Sequence, residues 1–153
     1  MNPGYYENIN GVIRNNFIVN TTYAGIGLYA ARNPTISGNT LIDVAEKGQA
    51  GFQIDSGETY INDDPPLLVA SRDVKFANNI VQLSATTTRP AFEVRTGGFS
   101  GTFQTVANRY FHTGSSVTFV DRRVGRDFIG GLAQWRSTLP AKKYSSEGNP
   151  QLK

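Results

Sequence analysis

The sequence predicts an all-β protein: a coil of about four turns in which short strands stack in parallel on three sheets, closed by a short C-terminal helix. Three observations lead there. Only 39% of the residues are hydrophobic and Gly numbers 16, a strand-and-turn composition, and no amphipathic run of ~10 residues at helical period occurs. Short segments of strict apolar alternation recur along the chain. A corner motif also repeats at unequal offsets, the mark of a fixed core with loops of variable length. Ile13-Arg-Asn-Asn16-Phe-Ile18 matches Ile36-Ser-Gly-Asn39-Thr-Leu41, then Arg72-Asp-Val-Lys-Phe76-Ala-Asn-Asn79, then Thr105-Val-Ala-Asn108-Arg-Tyr110.

Each unit carries three short strands. First-sheet strands are predicted at Gly25–Tyr29, Gly51–Asp55, Ala91–Arg95 and Ser116–Val120. Second-sheet strands end just before Asn16, Asn39, Asn79 and Asn108. Third-sheet strands follow at Phe17–Asn20, Thr40–Asp43, Ile80–Leu83 and Arg109–His112. The four Asn are expected to stack at the bend between the second and third sheets. Asn tolerates a left-handed backbone, and its carboxamide bonds to copies above and below.

The ends differ from the middle. Residues 1–8 start in mid-turn on the turn signal Asn2-Pro3-Gly4, so the first turn lacks a first-sheet strand of its own. An uncovered coil end exposes strand edges. The expectation is that this end pairs with another copy, is covered by Tyr5 and Tyr6, or continues into further chain. Loops Ala45–Ala50 and Ala85–Pro90 join the third sheet to the first, and Ser56–Pro66 is the longest insertion between the first and second. Residues 1–121 read as the coil and 122–153 as a capping helix with an extended tail, together one domain. Leu132 and Trp135, three apart, face one way on a short helix and plug the C-terminal end.

The corner "Ile-x-x-Asn-x-(Leu/Ile)" followed by "Gly-(Ile/Phe)-x-(Leu/Ile)" resembles the right-handed parallel β-helix repeats of the pectate lyase-like superfamily, over roughly residues 9–121. The stretch Gly131-Leu-Ala-Gln-Trp135-Arg-Ser … Asn149-Pro150 resembles the helix and tail that close many such proteins. The resemblance implies a right-handed, single-stranded parallel β-helix. It also implies an extracellular setting, although Met1-Asn-Pro-Gly-Tyr-Tyr carries no export signal.

Strand alternation selects the candidate site. In the first sheet Ile26 and Leu28, Phe52 and Ile54, Phe92 and Val94, and Val117 and Phe119 point inward. Gly27, Gln53, Glu93 and Thr118 form one outward column, and Tyr29, Asp55, Arg95 and Val120 the next. In the resembled superfamily, sugar chains often lie along this sheet. That implies Asp55, Glu93 and Arg95 as catalytic candidates. Carboxylate pairs serve hydrolases, and lyases use a carboxylate-held Ca²⁺ with a basic residue. Arg95 also matches a uronate carboxylate. Tyr29, Gln53, Glu58 and His112 are substrate-binding candidates, with Asp63, Asp64 and Lys47 reaching in from loops. The plainer reading makes Asp55 and Arg95 an ordinary surface ion pair and His112, the only histidine, a surface residue.

No residue set points to a resident metal; Ca²⁺ is the one cofactor the resemblance suggests. The chain has no cysteine, so disulfides and thiolate sites are excluded. Net charge is +3 with no basic stripe, which argues against nucleic acid as a partner. No apolar run approaches the ~20 residues that span a membrane as a helix. The expected partner is a polysaccharide or oligosaccharide, bound or cleaved on the first-sheet face by a lyase or hydrolase type of chemistry. The alternative is a non-catalytic structural module forming a homo-oligomer through its open N-terminal end. A third reading is a segment of a phage or surface adhesin of the same fold.

Overall fold

The computed structural model describes residues 5–59, 66–123, 126–138 and 145–150. The first unit holds β1 (Asn8–Ile9), β2 (Val12–Arg14) and β3 (Phe17–Val19). The second holds β4 (Ile26–Tyr29), β5 (Ala31–Arg32), β6 (Thr35–Ser37) and β7 (Thr40–Ile42). The third holds β8 (Phe52–Thr59), β9 (Leu67–Ala77) and β10 (Ile80–Leu83), and the fourth β11 (Phe92–Val94), β12 (Phe99–Val106) and β13 (Arg109–His112). Then follow β14 (Phe119–Asp121), β15 (Phe128–Gly130), α1 (Leu132–Ser137) and β16 (Ser146–Glu147).

The fold is all-β, with one six-residue helix. Successive units add strands to parallel ladders. One ladder runs β4–β8–β11–β14, a second β2–β6–β9–β12, and a third β3–β7–β10–β13–β16. The first two belong to one branched 11-stranded sheet, and the third is a 5-stranded sheet.

The Asn repeat governs the register. Asn16, Asn39, Asn79 and Asn108 stack so that each backbone N–H and carboxamide donates to the Oδ1 of the next, at 2.9–3.0 Å. Asn39, Asn79 and Asn108 also donate back to the carbonyls of Ile13, Ile36 and Phe76. The left-handed backbone, however, falls one residue earlier than expected. Asn15, Gly38, Asn78 and Ala107 have φ of 55°, 63°, 55° and 53°, and the ladder Asn do not. The corner thus separates two tasks: one residue makes the bend, and the next supplies the amide.

A second left-handed column divides the second ladder. Asn10, Asn33, Asp73 and Gly101 have φ of 58°, 52°, 54° and 78°. It splits β1 from β2 and β5 from β6. At Gly101 a Cβ would lie 2.3 Å from the Asp73 carboxylate, which instead accepts the Thr102 N–H at 2.8 Å. That bond holds the Asp73 carboxyl below its ordinary value.

The alternating inward residues build the core. Phe52, Phe76, Phe92 and Phe103 pack ring on ring, and Trp135 joins Phe92 and Phe103 to Phe119, with centroids 4.8 Å apart for Phe76–Phe92 and 4.6 Å for the stacked Phe119–Trp135. Each buried ring of this size contributes roughly 1.5–3 kcal/mol. Leu132 and Trp135 are the buried residues of α1, and they face the core from the C-terminal side.

Two expectations need correction. The fourth first-ladder strand is Phe119–Asp121, with Phe119 beside Phe92 and Asp121 beside Val94. The predicted Ser116–Val120 placed Phe119 beside Val94, two residues out of register. The outward column is therefore Gly27, Gln53, Glu93 and Val120, and Thr118 is not in it. The inward site next to Val94 accepts a carboxylate because Arg123 and Trp135 bond it. Second, Ser56–Pro66 is not simply a loop. β8 runs on into its first part, and Ser56–Thr59 pairs antiparallel with Leu67–Ala70. Asp63 and Asp64 lie outside the described residues.

Candidate functional site

The outer face of the first ladder carries most of the predicted site. Tyr29 and Asp55 are directly opposite each other, as are Gln53 and Glu93. Arg95 extends this row, its N–H bonding to the Ile54 carbonyl at 2.9 Å. The Tyr29 ring lies back over Gly27, where a Cβ would sit 2.7 Å from its Cε2, so that position must be glycine for the ring to lie flat. Its hydroxyl accepts from Gln49 Nε2 at 2.9 Å, and Gln53 Nε2 stands 3.5 Å away. Gln49 is pinned in turn, its Oε1 accepting the Ala24 N–H at 2.8 Å.

This cover changes the status of Gln53. Predicted as an outward residue, it is only 2% exposed, and among the described residues its Oε1 has no hydrogen-bond partner. A buried amide oxygen without a donor costs about 1–3 kcal/mol. Asp55 is held on two sides. Oδ1 accepts the Ser56 N–H at 2.9 Å, and Oδ2 stands 3.4 Å from Arg95 Nε. The turn Arg95–Gly98 closes against Asp55, with its Gly98 N–H on the Arg95 carbonyl at 3.0 Å. Tyr29, Gln53, Asp55, Glu93 and Arg95 are thus gathered into one polar patch, offering carboxylate acceptors, a guanidinium donor and one aromatic edge.

Two other candidates stand apart. Glu58 sits on the hairpin opposite Leu68, beyond the parallel ladder. His112 ends β13 in the 5-stranded sheet and is 8% exposed. Its Nδ1 accepts the N–H groups of Gly114 and Ser115, both at 3.0 Å. Nε2 must then carry the hydrogen and donate it to the Thr87 carbonyl at 3.0 Å. Both nitrogens of a neutral ring are spent on closing a loop. Lys47 is exposed, and its carbonyl accepts from Arg89. Among the described residues no group of three or more His, Asp or Glu is placed to hold a metal.

The sequence reading expected Leu132 and Trp135 to close the C-terminal end, and missed the ion pair buried beside them. Asp121 is fully buried and takes Arg123 Nε at 2.8 Å, Arg123 Nη2 at 2.5 Å and Trp135 Nε1 at 3.3 Å. Burial opposes its charge, but the Arg123 bonds and guanidinium outweigh it and hold the carboxyl below its ordinary value. The guanidinium also lies 4.8 Å over the Phe103 ring. The N-terminal end, which the sequence reading expected to be uncovered, lies at the opposite side of the ladders. Among the described residues, β1, β2, β3 and β4 pair on one side only. Ile9, Val12, Phe17, Val19 and Tyr23 are 41–69% exposed. Among the described residues they are five of the eight exposed large hydrophobics. A cavity of about 330 Å³ opens there between Val12, Ile13, Gly27, Leu28, Ala31 and Pro34.

Comparison of the chain with protein-family models, with curated proteins and with solved structures gives no match.

Proposed function

We propose that the chain is a right-handed parallel β-helix module of the pectate lyase-like kind, of about four turns and three sheets, whose role is structural and whose N-terminal end is an assembly surface. The observation that carries this reading is the contrast between its ends. The C-terminal side is closed by α1, Trp135 and the buried Asp121–Arg123 pair. The first unit has one-sided strands and exposed Val12 and Phe17. Apolar strand edges of this kind are normally covered. The test is the double substitution Val12→Lys, Phe17→Lys. If these side chains serve an interface, the folded chain keeps its melting temperature within a few degrees and loses self-association or partner capture in light scattering. A large drop in melting temperature with association unchanged overturns the reading.

A second reading is favoured by the outer face of the first ladder. Tyr29, Asp55, Glu93 and Arg95 line consecutive rungs about 4.8 Å apart, over the buried Gln53. This face suits a polysaccharide, and Arg95 suits a uronate in it. Binding is better supported than cleavage, because Asp55 already has Ser56 and Arg95 as partners. Titration with oligogalacturonate, with and without Ca²⁺, tests it. Saturable binding that weakens in Arg95→Ala supports the reading, and an unshifted melting curve at saturating sugar removes it.

A further inference from the structure

We infer that the N-terminal end docks one more turn of Asn-cornered parallel strands, contributed by a polypeptide partner; this rests on the assembly reading above. The ladder defines the partner atom by atom. In every interior rung the Asn Oδ1 accepts two bonds from the rung before it, one from a backbone N–H and one from a carboxamide. Asn39 receives both from Asn16, Asn79 both from Asn39, and Asn108 both from Asn79. Each interior carboxamide also returns an N–H to a carbonyl three residues upstream of the preceding Asn: Ile13, Ile36 and Phe76.

Asn16 breaks this rule in one direction only. Its Nδ2 donates to Asn39 Oδ1 at 2.9 Å. Among the described residues, nothing donates to its Oδ1, and no carbonyl takes its second N–H. A neighbour that continues the ladder must offer an Asn with its own N–H and carboxamide. It must also offer a carbonyl three residues earlier, on strands parallel to β2 and β3. That is a turn of the Ile-x-x-Asn type. The edges of β2 and β3 and the exposed Val12, Phe17 and Val19 extend the same surface.

Two versions of self-association fit these atoms poorly. Head-to-tail stacking would require an open far end, but there the ladder is already terminated. Asn108 N–H bonds Ser145 Oγ at 3.3 Å, its carboxamide bonds Thr105 Oγ1 at 3.0 Å, and β16 covers β13. Pairing of two N-terminal ends about a two-fold axis brings strands antiparallel and sets one Asn16 against another. The strand edges would be satisfied, but the donor-to-acceptor order of the ladder would not.

The experiment uses the full chain and, as probe, a synthetic peptide of this protein's residues 24–44. That segment is a turn which in the structure already docks on the next one. Binding is read by amide hydrogen exchange at residues 12–19 and by melting temperature. The expected result is slower exchange across β2 and β3 and a raised melting temperature. Replacing the peptide's Asn39 by Ala, or Asn16 of the chain by Ala, should weaken binding about tenfold, as loss of paired hydrogen bonds does. Light scattering of the chain alone separates the failures. If it is a dimer with residues 12–19 already protected, a second copy occupies the end, so this inference falls and the assembly reading stands. If it is a monomer, the peptide has no effect and the Val12, Phe17 variant behaves like the parent, both fall. Binding that is indifferent to either Asn overturns the ladder-specific claim.

Discussion

Replacing Asn79 by Ala removes the most heavily used side chain of the ladder. Its Oδ1 accepts Asn39 N–H and Asn39 Nδ2, both at 3.0 Å. Its Nδ2 donates to Asn108 Oδ1 at 2.9 Å and to the Ile36 carbonyl at 3.0 Å. Asn39 and Asn79 are fully buried, so the groups left behind are out of contact with bulk water. Asn108 Oδ1 keeps the Asn79 N–H, but two Asn39 donors are orphaned. At about 1–3 kcal/mol for each buried unsatisfied group, the substitution costs roughly 2–6 kcal/mol. Asn16→Ala is the internal control. Asn16 is exposed, and Asn39 Oδ1 still accepts the Asn16 N–H, so no buried donor is stranded. Its cost should stay below about 1 kcal/mol. Urea unfolding followed by circular dichroism measures both, the midpoint moving while the slope is unchanged. Equal costs at the two positions would refute the ladder as a source of stability.

The C-terminal closure makes its own predictions. Asp121 has its carboxyl held below the ordinary value. Its contribution is therefore fully present above the unfolded value near pH ~3.9 and is lost as pH falls through the folded one. In Asp121→Asn that loss is absent, so the melting-temperature gap between parent and variant should narrow from pH 7 to strongly acid solution; a constant gap contradicts the assignment. Trp135→Ala should cost about 3–5 kcal/mol, as large core deletions do. The parent's single Trp, stacked on Phe119, should emit at short wavelength until the closure opens. A long-wavelength emission in the folded parent would place the ring in water. Arg95→Ala should cost less than about 1 kcal/mol in thermal unfolding, because the Asp55 pair is half-exposed. A larger loss would mean that Arg95 has a structural role the visible contacts do not explain.

The ladder was legible because one residue type, Asn, recurs at the same place in each unit. The apolar alternation on either side of it, Ile26 and Leu28 or Phe52 and Ile54, gave the inward faces directly. The second left-handed column was not legible, because Asn10, Asn33, Asp73 and Gly101 share a conformation and not an identity. Asp121 misled the register: a carboxylate at an inward position reads as the end of a strand until Arg123 is seen beside it. The Asp55–Arg95 pairing followed from strand register and could be read from sequence. The burial of Gln53 could not, since it depends on a ring and a glutamine from other parts of the chain lying across the sheet. Nor could the fate of His112, whose nitrogens close a loop against Thr87, Gly114 and Ser115.

Site-resolved amide hydrogen exchange tests the stacked corners most directly. The N–H groups of Asn16, Asn39 and Asn79 each end on the carboxamide of the next Asn, the first in an exposed rung and the other two in buried ones. The predicted result is slow exchange at Asn39 and Asn79, faster exchange at Asn16, and a selective loss of protection at Asn39 when Asn79 is replaced by Ala. Protection of Asn16 equal to that of Asn79, or an Asn39 amide indifferent to the loss of its neighbour, would contradict the account.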